Sequence, residues 1–128
     1  MGDLNGDGVP DVVTADVKNN HVIVLLSSPQ GPLQILNTYT VDQAPTSVAI
    51  ADLNGDGIPD LVSTNTESGN VSVLLGNGDG TFQNQTVYTV GVNPSAVTLG
   101  DFSGNGLLDL AVMNTGDSTA GILLNTLT

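Results

Sequence analysis

One nine-residue acidic loop occurs three times in this chain at a constant step of 49 residues. The copies are Asp3-Leu4-Asn5-Gly6-Asp7-Gly8-Val9-Pro10-Asp11, Asp52-Leu53-Asn54-Gly55-Asp56-Gly57-Ile58-Pro59-Asp60 and Asp101-Phe102-Ser103-Gly104-Asn105-Gly106-Leu107-Leu108-Asp109. Oxygen-bearing side chains stand at loop positions 1, 3, 5 and 9, and glycines at positions 4 and 6. A fixed period of this length implies a repeat architecture, in which each unit buries its faces against neighbouring units.

Displacing the chain by 49 residues aligns more than the loops. Val22-Ile23-Val24-Leu25-Leu26 falls on Val71-Ser72-Val73-Leu74-Leu75 and on Ala120-Gly121-Ile122-Leu123-Leu124. Tyr39-Thr40-Val41 falls on Tyr88-Thr89-Val90. Short runs rich in Val, Ile, Leu and Thr, bounded by turn residues, read as strands, and no amphipathic helix of useful length is visible. The complete unit, 44–92, predicts strands at 45–53, 60–65, 70–76 and 84–91. Two partial units flank it: 1–43, with strands at 11–16, 21–27 and 34–41, and 93–128, with strands at 94–102, 109–114 and 119–125.

The expected fold is therefore all-β: four-stranded antiparallel sheets stacked as β-propeller blades. A flat array or solenoid is the alternative. Runs that are apolar on both faces, such as Val22 to Leu26, predict a neighbour on each side of every sheet. The 128 residues hold about 2.5 blades. Self-association that completes the propeller ring is the expected partnership, and an excerpt from a longer parent the competing reading. Open edges would otherwise invite strand pairing. Met1-Gly2 stands directly against the first loop, which suggests a fragment or a designed start.

Thirteen acidic residues are set against Lys18 alone, with no arginine, for a formal charge of −12. That balance argues against nucleic acid and anionic membranes as partners. No apolar run is long enough to span a bilayer, and no export signal is visible. The chain has no cysteine, which excludes disulfides and thiolate chemistry. Eight of the 13 acids lie in the three loops, and a generically acidic surface would not place them at a fixed period.

Calcium takes six to eight hard oxygen ligands at roughly 2.3–2.6 Å. Asp52, Asn54 and Asp56 can turn inward, the Ile58 carbonyl is a natural further ligand, and Asp60 would close the shell. The corresponding sets are Asp3, Asn5, Asp7, Val9 and Asp11, and Asp101, Ser103, Asn105, Leu107 and Asp109. Without a cation, two carboxylates ~4 Å apart repel by about 4 kcal/mol at an effective dielectric of ~20. Magnesium demands a smaller octahedral cage, and zinc lacks cysteine and finds only His21. An EF-hand would need a position-12 acid and flanking helices. Thr14, Ser63 and Val112 stand there between predicted strands. The RTX nonapeptide fails on spacing. The third loop has only two carboxylates and is expected to bind most weakly.

Other polar groups read as ordinary. Asn77-Gly78-Asp79-Gly80 is a turn before it is a second cation site. His21 stands alone, and Ser27 and Ser28 have no nucleophile-elbow context. Tyr39, Tyr88, Phe82 and Phe102 suggest packing between blades, with a sugar-stacking role for the two tyrosines as the alternative.

The acidic loops, together with Leu74-Leu75-Gly76-Asn77-Gly78-Asp79-Gly80-Thr81-Phe82, resemble the FG-GAP or VCBS-type repeat of integrin α-subunit propellers and many secreted bacterial proteins. The resemblance covers essentially the whole chain. It implies a calcium loop between the first and second strands of each blade, with the ligand roles just named. It departs where Ser28-Pro29-Gln30-Gly31-Pro32-Leu33 replaces the glycine-rich segment in the first unit, and where the third unit lacks that segment. The expected function is a non-catalytic, calcium-stabilised, extracellular module for structure and recognition. The alternatives are a carbohydrate-binding lectin and a scaffold fragment of a secreted polysaccharide-degrading enzyme.

Overall fold

The computed structural model describes residues 2–28 and 31–125. Pro29 and Gln30, in the segment that departs from the repeat, lie outside them. Ten strands follow one another: β1 (Val12–Asp16), β2 (His21–Ser28), β3 (Gly31–Thr40), β4 (Pro45–Ala51), β5 (Asp60–Asn65), β6 (Asn70–Leu74), β7 (Thr86–Thr89), β8 (Pro94–Gly100), β9 (Asp109–Asn114) and β10 (Thr119–Leu123). They form three antiparallel sheets, β1-β2-β3, β4-β5-β6-β7 and β8-β9-β10. Among the described residues, no helix is long and apolar enough to cross a membrane.

The strands expected at 45–53 and 94–102 stop at Ala51 and Gly100, because the next residues already belong to the acidic loop. In the first unit a single bridge, Gly2 to Asp11, stands where Ala51 pairs with Asp60 and Gly100 with Asp109. The strand expected at 84–91 contracts to Thr86–Thr89.

Two apolar layers hold the sheets together. Between the first and second sheets lie Leu4, Val22, Val24, Leu61, Leu74 and Phe82. Between the second and third lie Leu53, Val62, Val71, Val73, Leu110 and Val112. Each such side chain, fully buried, stabilises the fold by about 1.5–3 kcal/mol relative to exposure. Every residue of β5 and β6 is buried. The expectation of a neighbour on both sides holds for the middle sheet. Within this chain each outer sheet has one.

The face of the middle sheet toward the first is apolar only at the loop end. Farther along, Ser63 pairs across strands with Ser72, and Asn65 with Asn70, all buried. Asn65 Nδ2 donates to Asn70 Oδ1 and to Ser72 Oγ, each at 2.8 Å, and its Oδ1 accepts from Ser63 Oγ at 3.1 Å. Ser72 Oγ donates to Gln85 Oε1 at 2.6 Å, and Asn70 Nδ2 to Asp42 Oδ2 at 2.8 Å. The network thus joins β5 and β6 to the residue before β7 and to the connection between the first and second sheets, and its members satisfy one another as buried polar groups must.

Candidate metal centre

The second and third acidic loops follow β4 and β8 and enter the next strand at loop position 9, and the first runs between the two residues of the Gly2–Asp11 bridge. The backbone has the same shape in all three copies. The position-4 glycines, Gly6, Gly55 and Gly104, have φ of 77°, 76° and 76°, and the position-6 glycines, Gly8, Gly57 and Gly106, have φ of 83°, 81° and 84°. Residues with a Cβ adopt such angles only at a cost of roughly 1–2 kcal/mol each. This is the physical reason for glycine at both positions.

The positive-φ turns point successive amides at the side chain of position 1. Asp3 Oδ1 accepts the N–H groups of Gly6 at 2.8 Å and Asp7 at 3.2 Å, and its Oδ2 accepts that of Gly8 at 2.9 Å. Asp52 and Asp101 are wrapped in the same way by Gly55, Asp56 and Gly57, and by Gly104, Asn105 and Gly106. These N–H donors, led by that of Gly8, hold the Asp3 carboxyl below its ordinary pKa. At position 5, Asp7 and Asp56 each give one oxygen to the N–H of position 7, Val9 or Ile58, at 2.9 Å. Asn5 and Asn54 oxygens meet the position-5 amides at 3.2 and 3.4 Å.

Position 9 behaves differently. Asp11, Asp60 and Asp109 are completely buried. One oxygen of each accepts the position-2 amide: Leu4 to Asp11 at 2.7 Å, Leu53 to Asp60 at 2.8 Å, Phe102 to Asp109 at 2.8 Å. The other oxygen accepts an amide from the far end of β2 or from just beyond β6 and β10. The donors are Ser27 at 3.0 Å, Gly76 at 2.8 Å and Asn125 at 2.7 Å, spaced by the same 49 residues. These carboxylates close the loop and clamp it to the sheet, a role that the ligand reading of position 9 did not include. Ser27, Gly76 and Asn125 were not singled out as partners, although their common register was visible.

Two copies of the clamp differ electrostatically. Burial pushes the Asp60 carboxyl up, against the pull of the Gly76 and Leu53 amides, and the charges of Asp56 and Asp52 add to the rise. The Asn125 amide, followed by those of Ser103 and Phe102, holds Asp109 down. Among the described residues, no three His, Cys, Asp or Glu side chains gather into a ready-made metal cluster. The loop carboxylates are turned onto the loop's own amides.

A family model described as an FG-GAP-like repeat matches residues 3–63 and again 52–112. The chain belongs to the FG-GAP-like repeat family. The two matches are displaced by the same 49 residues as the loops, and each runs from one acidic loop past the next. Curated proteins and solved structures give no match.

The third FG-GAP-like loop departs in its side chains. Asn105 spends its Oδ1 on the Leu107 N–H at 3.0 Å, and its Nδ2 donates to the Asn125 carbonyl at 3.1 Å. Where the first two loops have a second carboxylate oxygen, this one has a committed N–H donor. Ser103 gives its backbone amide to Asp109 Oδ2 at 3.0 Å.

The residues weighed as distractions have simple places. Asp79 caps its turn by accepting the Thr81 N–H at 3.0 Å. Tyr39 packs edge-on against Phe82 with ring centroids 5.5 Å apart, and its hydroxyl accepts the Phe82 N–H at 3.1 Å. His21 opens β2 opposite Asp16.

Proposed function

We propose that this chain is a calcium-stabilised β-propeller module with a structural and recognition role and no catalysis of its own. The observation that carries the reading is the threefold recurrence of one loop backbone, with hard oxygens at positions 1, 3 and 5 and paired positive-φ glycines between them. The family as a whole is generally structural or recognition-bearing, and the resemblance to calcium-binding VCBS and integrin α repeats agrees.

The donor set suits the ion. A carboxylate has about four acceptor sites, and the amides around Asp3 or Asp52 occupy three. The amides fix the position-1 carboxylate in orientation, so little of its rotamer freedom remains to be lost on binding. Asp7 and Asp56 are exposed at the loop rim. Bound calcium would supply positive charge to a loop that otherwise concentrates negative charge. Asp3, Asn5, Asp7 and the Val9 carbonyl would hold it, as would Asp52, Asn54, Asp56 and the Ile58 carbonyl. Asp11 and Asp60 would back the site from beneath. The third loop, with Asp101, Ser103, Asn105, Leu107 and Asp109, would bind most weakly, because Asn105 replaces a carboxylate. Extracellular calcium modules work at about 10⁻⁴–10⁻³ M calcium, and a role outside the cell goes with this reading.

Titration calorimetry with calcium and with magnesium tests the reading. Two stronger calcium sites and one weaker are expected, with little heat from magnesium. Absence of any calcium binding would overturn it.

A second reading, carbohydrate recognition, is favoured by a groove of about 350 Å³ between the first and second sheets, lined by Thr38, Tyr39, Thr40, Asn84 and Gln85. Tyr39 is half committed to Phe82, so polar groups would carry most of the contact. A glycan array in calcium tests this, and a blank array retires it. No observation favours the enzyme-scaffold reading in particular.

A further inference from the structure

We propose that copies of this chain stack head to tail, the outer face of the third sheet of one copy seating on the outer face of the first sheet of the next. The inference rests on packing and stands apart from the calcium reading.

The chain uses one interface twice. The rear face of the first sheet, with Val22 and Val24, meets the front face of the second, with Leu61 and Leu74. The rear face of the second, with Val71 and Val73, meets the front face of the third, with Leu110 and Leu123. In repeat register these are the same positions displaced by 49 residues. The front of the first sheet and the rear of the third therefore remain, and they are the two halves of that same interface.

Both show the loss of a neighbour. On the rear of the third sheet, Met113 is 57%, Ile122 58% and Leu124 62% exposed. Their counterparts one repeat earlier are Thr64, Val73 and Leu75, of which the first two are buried. Phe102 is the clearest case. At loop position 2, Leu4 is 2% exposed and Leu53 1%, each inside the layer toward the following sheet, whereas Phe102 is 52% exposed. On the front of the first sheet, Val12, Ile23 and Leu25 are half-buried and Thr14 is exposed, where the middle sheet has Leu61, Ser72, Leu74 and Ser63 at 0%. Exposed contiguous apolar surface of this kind marks an interaction site. A second copy is the occupant because each face already has its mate in the chain. The contact is heterologous, joining different patches on the two copies.

Two variants decide it. Met113→Glu places a charge on the rear face and Thr14→Glu on the front, both at side chains exposed in the single chain. By light scattering in calcium, the parent chain is expected to exceed its 13.0 kDa monomer mass, and each variant alone to run as a monomer that still unfolds cooperatively, at a somewhat lower temperature because it has lost the stabilising contact. Mixed one to one, they are expected to form a dimer, since one contributes an intact rear face and the other an intact front. Ile122→Glu repeats the rear-face test, and Gln83→Glu, off both faces, should leave association intact. A monomeric parent overturns the proposal. So does association of either variant alone, which would indicate a like-with-like contact, or a mixture that stays monomeric.

Discussion

Asp60 Oδ1 accepts the Gly76 N–H at 2.8 Å, tying the last residue of the acidic loop to the chain just beyond β6. Its other oxygen takes the Leu53 N–H. Asp60, Leu53 and Gly76 are all buried. Asp60→Ala leaves both amides unpaired, and a buried unsatisfied donor costs about 1–3 kcal/mol. The expected loss is roughly 2–4 kcal/mol, in chelator as well as in calcium, by urea or thermal unfolding. A change under about 1 kcal/mol would show that the clamp is not structural.

The polar layer of the middle sheet is incomplete in the third. Asn114 stands at the position of Asn65, but Val112 and Gly121 replace the hydroxyls of Ser63 and Ser72. Asn114 Oδ1 is the one buried side-chain atom, among the described residues, without a partner. A Cβ on Gly121 would meet only Asn114 Nδ2, at 3.5 Å. Gly121→Ser is expected to stabilise by about 1 kcal/mol, from the added hydrogen bond and from removing a strand glycine. A lower melting temperature would contradict that fit.

Asn20, Gly69 and Ser118 occupy one repeat position, the hairpin corner between second and third strands, with φ of 59°, 70° and 57°. Ser118 is exposed there and strained. Ser118→Gly should raise stability by roughly 0.5–1 kcal/mol, the relief of left-handed strain exceeding the added freedom of the unfolded chain. Ala in the same place should do no better than Ser, and a stabilising Ala would refute the strain.

Acid should destabilise the metal-free chain. Asp3, Asp16, Asp42, Asp79, Asp109 and Asp117 have folded-state pKa values below the ordinary carboxylate value, held there mainly by hydrogen bonds. Each contributes stability that is present above the unfolded pKa, about 3.9, and is lost as pH falls through the folded pKa. Asp60 runs the other way: its raised pKa favours the folded state in acid and loses that contribution as pH rises through the folded value. Melting temperature in chelator should fall from pH 5 toward pH 2, and Asp60→Asn should steepen the fall. A flat profile would contradict the assigned directions.

All ten strands were legible, because short runs rich in Val, Ile, Leu and Thr between turn residues, recurring every 49 residues, leave little freedom in the assignment. Their ends were less so. Leu53 and Phe102 look like strand residues, yet their amides turn away to Asp60 and Asp109. The positions of the loop oxygens were also legible, but not the division of labour among them. Nothing in a list of spaced aspartates says that Asp60 is buried and Asp56 exposed, since that depends on Gly76 arriving from 16 residues away. The Ser63–Asn65–Asn70–Ser72 network was missed because serine and asparagine in a strand normally signal solvent. Their signal was parity: all four fall on the face shared with Leu61 and Leu74.

The most direct test of the calcium account is thermal unfolding of the parent chain and of Asp56→Ala, each with calcium and with EDTA. Mass action requires a ligand that binds the folded state to raise its melting temperature. The parent should melt higher in calcium, by about 2.7 kcal/mol of added stability per site at a hundredfold excess over Kd. Asp56→Ala should lose part of that gain while matching the parent in EDTA. Superimposable curves for the parent in calcium and in EDTA would contradict the metal role of all three loops.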